Sequence, residues 1–207
     1  MDGTVVTDQI EKLHIGCGSL PLEGWCNVDI QSVPGVDVVL DVRDGLPGSD
    51  VRYIYAEHFI EHLALDDARR FLAECRRVLR RDGTLRLSTP NLDWVMLSHY
   101  RFGRWLSNED AIADCLQTNL AFHGWGHQFL YNFTLMAELL RCAGFAEVRS
   151  RAYGESDDPA LRGLERHPPS PDWPGLPHVV IVEATGVGKP GEPSVDLSSW
   201  RDAMGAR

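Results

Sequence analysis

The sequence predicts an α/β domain of three layers built on a mostly parallel sheet, and three observations carry that expectation. Short apolar runs alternate with segments of helical periodicity along most of the chain. The first run, Leu13 to Ile15, breaks at a Gly-X-Gly turn, Gly16 and Gly18. A second apolar run follows within a dozen residues and ends on an acid, Asp29.

The remaining elements follow in order. Val36 to Val42 reads as a third strand ending near Asp41, and Arg52 to Tyr55 as a fourth, after the turn-rich Asp44-Gly-Leu-Pro-Gly48. A helix is expected from an Asp66 or Asp67 cap through Arg80, with Ala68, Phe71, Leu72, Cys75, Val78 and Leu79 on its apolar face and Asp82-Gly83 as its stop. Thr84 to Ser88 is the fifth strand. One or two helices with aromatic-rich loops occupy Trp94 to Leu130, and Asn132 caps a helix through Cys142. Ala146 to Tyr153 and His178 to Ala184 complete the strands, separated by a long loop rich in prolines and charges. One domain over residues 1–186 is expected, with 94–131 as an acceptor-side lid and 187–207 as a flexible tail. The links after the first two strands are shorter than the crossover that parallel neighbours normally take.

At 207 residues and 43% hydrophobic content, the chain can bury one full core. A net charge of −10 argues against a nucleic-acid partner, which calls for a basic face. No run of 18 apolar residues and no signal pattern is seen, so neither a membrane partner nor export is expected. Five scattered cysteines without a Cys-X-X-Cys pair read as reduced thiols in a cytoplasmic protein.

The Gly-X-Gly turn followed by a strand-end acid is the logic of a nucleoside pocket. Missing side chains let a ligand lie against bare backbone, and the carboxylate accepts from ribose hydroxyls. A dinucleotide fits poorly, because its pyrophosphate needs a helix N-terminus. The stretch from Ser19 to Trp25, with Pro21 and Gly24, is too short for such a helix. A ligand without phosphates fits better.

Ile-Gly-Cys-Gly (15–18), Gly-Trp-Cys-Asn-Val-Asp (24–29), Tyr-Ala-Glu-His-Phe-Ile-Glu-His-Leu (55–63) and Ala-Gly-Phe (143–145) together resemble a compact bacterial branch of the class I S-adenosylmethionine-dependent methyltransferases. The likeness runs from Leu13 to about Ala184 and departs at Ser19, where many members carry a third glycine, and in the nearly absent first helix. It implies a Rossmann-like sheet of seven strands with the last antiparallel, and S-adenosylmethionine as cofactor. It places Gly16, Cys17 and Gly18 at the methionine portion, and Asp29 with Ile30 at the ribose. Asp41 and Val42 fall near the adenine, and Glu57 near the methionine end. It also implies transfer to an oxygen or nitrogen of a sugar or other small molecule, in polysaccharide or secondary-metabolite assembly.

Two further motifs bear on chemistry. His58-X-X-Glu61-His62 has the spelling of an inverted zinc-peptidase motif, in which two histidines one helical turn apart bind metal. A zinc hydrolase is therefore the alternative enzyme. The motif's place directly after a short strand favours a metal-free pocket role instead, with His58 facing the acceptor and no metal expected. His127, in the aromatic stretch Phe122 to Tyr131, is a second candidate general base. A non-catalytic cofactor-binding protein is the remaining alternative.

Overall fold

Alternate residues of the strands belong to two different environments, and this alternation organises the molecule. A computed structural model describes residues 10–167, 170–171, 173 and 175–205. The other residues, parts of the expected domain start, proline-rich loop and tail, lie outside the described residues.

Seven strands form one sheet in the order β3-β2-β1-β4-β5-β7-β6. They are β1 Lys12–Ile15, β2 Cys26–Asp29, β3 Val38–Val39, β4 Val51–Glu57, β5 Leu79–Pro90, β6 Glu147–Ser150 and β7 Val179–Thr185. β1 to β5 pair in parallel, whereas β7 runs antiparallel to both neighbours. The expected mostly parallel, seven-stranded sheet with an antiparallel last strand is therefore present.

On one face, Leu13, Ile15, Ile54, Ala56, Leu85, Leu87, Val180 and Val182 meet α1 (Leu65–Val78) and α4 (Phe133–Cys142) in the main core. α1 buries Ala68, Phe71, Leu72, Cys75 and Val78, the stripe expected from its periodicity. Its ends differ from expectation. Ala64 precedes the first helical residue, and Asp66 and Asp67 lie inside the first turn, where their charge complements the helix dipole. The helix stops at Val78 because Leu79 already enters β5, which runs on to Pro90. α4 is capped as expected, the Asn132 side chain accepting from Leu135 N–H at 3.0 Å.

The other face carries Tyr53, Tyr55, Arg86 and Glu183. Irregular chain covers it. Leu22 and Trp25 of the β1–β2 link pack on Tyr53 and Tyr55 with Leu161. Arg86, fully buried, pairs with Glu165 at 2.8 Å and Glu183 at 2.7 Å.

Asn27 explains how the short first crossover closes without a helix. Its side-chain oxygen accepts Leu22 N–H at 2.8 Å, and its amide donates to Leu22 O and Trp25 O at 3.0 and 3.1 Å. The expected third strand shrinks to two residues: the Asp41 side chain caps a 3₁₀ turn, Val42–Asp44, and draws the chain out of the sheet. β4 extends further than expected, to Glu57, and β6 is shorter.

The stretch expected to hold one or two helices holds α2 (Leu92–His99) and α3 (Asn108–His123). After β7, in the stretch expected as a tail, the described residues make some contacts to the domain. Gly188 and Gly191 N–H donate to Gly144 O and Cys142 O, and α5 (Ser198–Gly205) brings Trp200 against Phe129. Among the described residues no helix is long and apolar enough to cross a membrane.

Candidate functional site

Ligands of open α/β sheets bind outside the carboxyl ends of the strands, where the strand order reverses. Here that point lies between β1 and β4, and a cavity of about 460 Å³ opens there. Its volume is in the range of small-molecule sites. Gly16 closes β1 into it, Asp29 and Ile30 end β2, Leu40, Asp41 and Val42 follow β3, and His58 follows β4. Six of the residues expected from sequence thus share one wall: Gly16, Asp29, Ile30, Asp41, Val42 and His58.

The turn after β1 is built around missing side chains. Gly16 has φ +67°, and a Cβ there would stand 2.4 Å from the Phe59 ring. Gly18, at φ +50°, has open space where its Cβ would be. Gly18 N–H donates to Asp29 Oδ2 at 2.8 Å and Gln31 N–H donates to Asp29 Oδ1 at 2.8 Å. An ionised carboxylate has about four lone-pair positions, so two bonds leave Asp29 able to accept from a ligand while its orientation is held.

Asp41 lines the same cavity with its carboxylate already paired. Arg43, two residues on, hydrogen-bonds its carboxylate and holds its pKa below the usual aspartate range. Its charge is largely answered by its own neighbour.

Four expected residues lie elsewhere. Cys17 is buried behind the turn; burial first, and the Asp29 charge next, push its thiol up to about 11, so it stays protonated at neutral pH. Gly18 meets the site only through its bond to Asp29. Strand alternation turns Glu57 to the face of Tyr53 and Tyr55, where its carboxylate accepts Arg166 N–H at 2.9 Å and His167 N–H at 3.1 Å. Glu57 thereby anchors the covering segment instead of lining the cavity. His127 stands outside the cavity wall, its Nδ1 2.8 Å from Ala121 O and its ring 5.1 Å from that of His62.

His58 adopts φ +47°, an uncommon conformation for a non-glycine residue. Its Nδ1 lies 3.1 Å from Oε1 of Glu61, a carboxylate with no solvent exposure whose Oε2 accepts from Thr89 Oγ1 at 2.9 Å. The zinc-peptidase reading requires His58 and His62 one turn apart on an α-helix. The segment instead holds a 3₁₀ turn, Ile60–His62, entered through non-helical Phe59. The two histidines fall into separate clusters, Glu57–His58–His167 and Glu61–His62–His127.

Residues not foreseen in the wall include Phe59, His62, Asp67, Trp125 and Gln128. Phe59 was legible in principle: a large side chain beside a motif histidine, at the point where β4 ends. Trp125 and Gln128 come from the aromatic stretch before α4, which no local signal places beside β1. A second cavity of about 430 Å³, between α1 and α4, lies away from the strand ends.

The comparisons agree with this geometry. The family described as "Methyltransferase domain" matches residues 27–87. The match starts in β2 and ends in β5. A Thermotoga maritima protein described as an S-adenosylmethionine-dependent methyltransferase, possible histamine N-methyltransferase, superimposes with a TM-score of 0.53 at 19% identity, over 84% of this chain and 81% of its own. An Archaeoglobus fulgidus S-adenosylmethionine-dependent methyltransferase gives 0.52 at 16% identity, over 86% of each chain. The Burkholderia thailandensis 1,6-didemethyltoxoflavin-N1-methyltransferase, solved with 1,6-didemethyltoxoflavin and S-adenosylhomocysteine, gives 0.52 at 17% identity, over 85% of this chain and 70% of its own. No curated protein matches. The chain has the class I methyltransferase fold.

Proposed function

We infer that the protein is an S-adenosylmethionine-dependent methyltransferase acting on an oxygen or nitrogen of a small acceptor such as a sugar or secondary metabolite. One observation carries the reading. Gly16 and Asp29, the bare turn and the strand-end acid, line a single cavity at the reversal of strand order in a methyltransferase fold. The S-adenosylhomocysteine bound to the Burkholderia enzyme supports the choice of cofactor.

In this reading Asp29 accepts from the ribose hydroxyls, Asp41 and Val42 border the adenine, and the Gly16 turn borders the methionine portion. Bound S-adenosylmethionine supplies an electrophilic methyl group for in-line transfer. Charge is neutralised along that path, so positioning of the acceptor and removal of its proton are the protein's main tasks. His58, one of two histidines in the wall, is suited to take that proton. With Nδ1–H donated to Glu61, its Nε2 carries the lone pair. Residues 94–131 act as an acceptor-side lid, contributing Trp125 and Gln128.

Calorimetric and thermal-shift titrations test this. S-Adenosylmethionine or S-adenosylhomocysteine should bind with one-to-one stoichiometry, and nicotinamide dinucleotides should not bind. Ligand at about 100 times its Kd adds about 2.7 kcal/mol, which raises Tm by roughly 5–11 °C in a domain of this size. Binding of the dinucleotide, with neither S-adenosyl ligand bound, overturns the reading.

A further inference from the structure

We propose that Glu61, His62 and His127 form a binding site for a divalent transition-metal cation of the zinc class. The set differs from the one spelled by the local motif, because His58 is replaced by a histidine from beyond the far end of α3. One ligand atom from each of the three residues lies within 4.8 Å of the other two. Two imidazoles and one carboxylate are a donor set that suits zinc and its neighbours, and three protein ligands leave an open position.

The backbone around the cluster is already fixed. Gln128 and Phe129 N–H both donate to Glu61 O, at 2.7 and 3.2 Å, and Gln128 Nε2 donates to His62 O at 2.7 Å. These bonds lock the segment carrying His127 to the one carrying Glu61 and His62. Gly126 takes φ +85°, a conformation that favours glycine, in the turn beside the His62 ring.

The outer contacts are those a metal site uses. His127 Nδ1–H donates to Ala121 O at 2.8 Å, which leaves Nε2 as the lone-pair nitrogen. A backbone carbonyl on the second ring nitrogen is the usual device for orienting a ligating histidine. Glu61 is held by Thr89 and His58, with lone pairs to spare.

Four residues beyond His127, the fully buried Tyr131 hydroxyl has no hydrogen-bond partner among the described residues. Ligand bonds of about 2.0–2.2 Å would draw the three atoms together, a movement that side-chain torsions supply.

His62 also lines the cavity. On the methyltransferase reading, on which this role alone rests, the open position would take an oxygen of the acceptor and fix it near the transferred methyl. Metal binding itself does not depend on the cofactor.

The test uses full-length protein stripped with chelator and dialysed, without any S-adenosyl ligand. Calorimetric titration with zinc chloride should give one site per chain, and zinc-edge X-ray absorption should show two imidazole nitrogens. His62→Gln and His127→Gln should each lose the stoichiometric site, and His167→Gln should keep it. Thr89→Ala, which removes an outer contact, should weaken binding by roughly 10- to 100-fold. Absence of saturable binding overturns the proposal, as does a first shell without two imidazoles. Loss of the site in His167→Gln assigns the metal to the Glu57–His58–His167 cluster and also overturns it. If either ligand variant fails to fold, the His167→Gln variant still decides between the two clusters.

Discussion

Asp29 Oδ2 accepts the backbone N–H of Gly18 at 2.8 Å, joining the end of β2 to the turn that closes β1. The residue expected to hold a ribose is thus also the residue that shapes the adjoining turn. Its mutation should disturb both functions.

Asp29→Ala should weaken S-adenosylmethionine binding by roughly 10- to 100-fold, the loss of a charge-assisted acceptor worth about 1.5–3 kcal/mol. Asp29→Asn keeps one acceptor oxygen but turns an NH₂ toward either Gly18 or Gln31 N–H, so it should fall between wild type and Ala. Calorimetry showing wild-type affinity in both variants would leave Asp29 a turn residue.

Gly16→Ala and Gly18→Ala should separate folding from binding. At Gly16 the new methyl meets Phe59, whose ring is backed at 5.2 Å by Phe71, so stability should fall by more than the about 1–2 kcal/mol of left-handed backbone strain. At Gly18 the space is open, and only the backbone strain applies. Equal denaturation midpoints for the two variants would contradict this placement of Phe59.

Arg86→Met should destabilise the fold by about 3–5 kcal/mol, because Glu165 and Glu183 are left as buried charges lacking this partner. Adding Glu165→Gln should restore part of the loss. A single variant within about 0.5 kcal/mol of wild type in chemical denaturation would show that the covering segment is not held by this cluster.

Acid should destabilise the protein partly through His14. Its ring, stacked on Tyr55 and 3.0 Å from Asn27 Oδ1, has a pKa lowered chiefly by burial. The unfolded chain then binds the proton more tightly than the fold does. The stabilising contribution is complete above about 6.5 and is lost as pH drops from there through the lower folded value. His14→Gln should flatten the Tm profile between about pH 5 and 7; an unchanged profile would remove His14 as a contributor.

Much of the site was legible because its parts are local. Gly16 and Asp29 stand at strand ends, and strand ends follow from where apolar runs stop. Glu57 lies away from the cavity for a reason of parity: it belongs to β4, and period-two alternation sends its side chain to the face of Tyr53 and Tyr55. The two motif histidines do not share a helix face because four-residue spacing brings them together only on an α-helix, and positive φ at His58 breaks that path.

The sequence by itself determined the alternation of elements, the apolar face of α1, the cap of α4 and the order of turn and acid that borders the cavity. Each depends on residues within a few positions of one another, where periodicity and capping act directly. Only the tertiary structure decided that irregular chain would cover one face of the sheet, that Arg86 would meet Glu165, and that His127 would stand beside Glu61 and His62. Those meetings join residues far apart in the chain, 79 positions in the case of Arg86 and Glu165. Such contacts follow from which buried donors and acceptors can satisfy one another once the sheet has formed, and spacing along the chain holds no record of them.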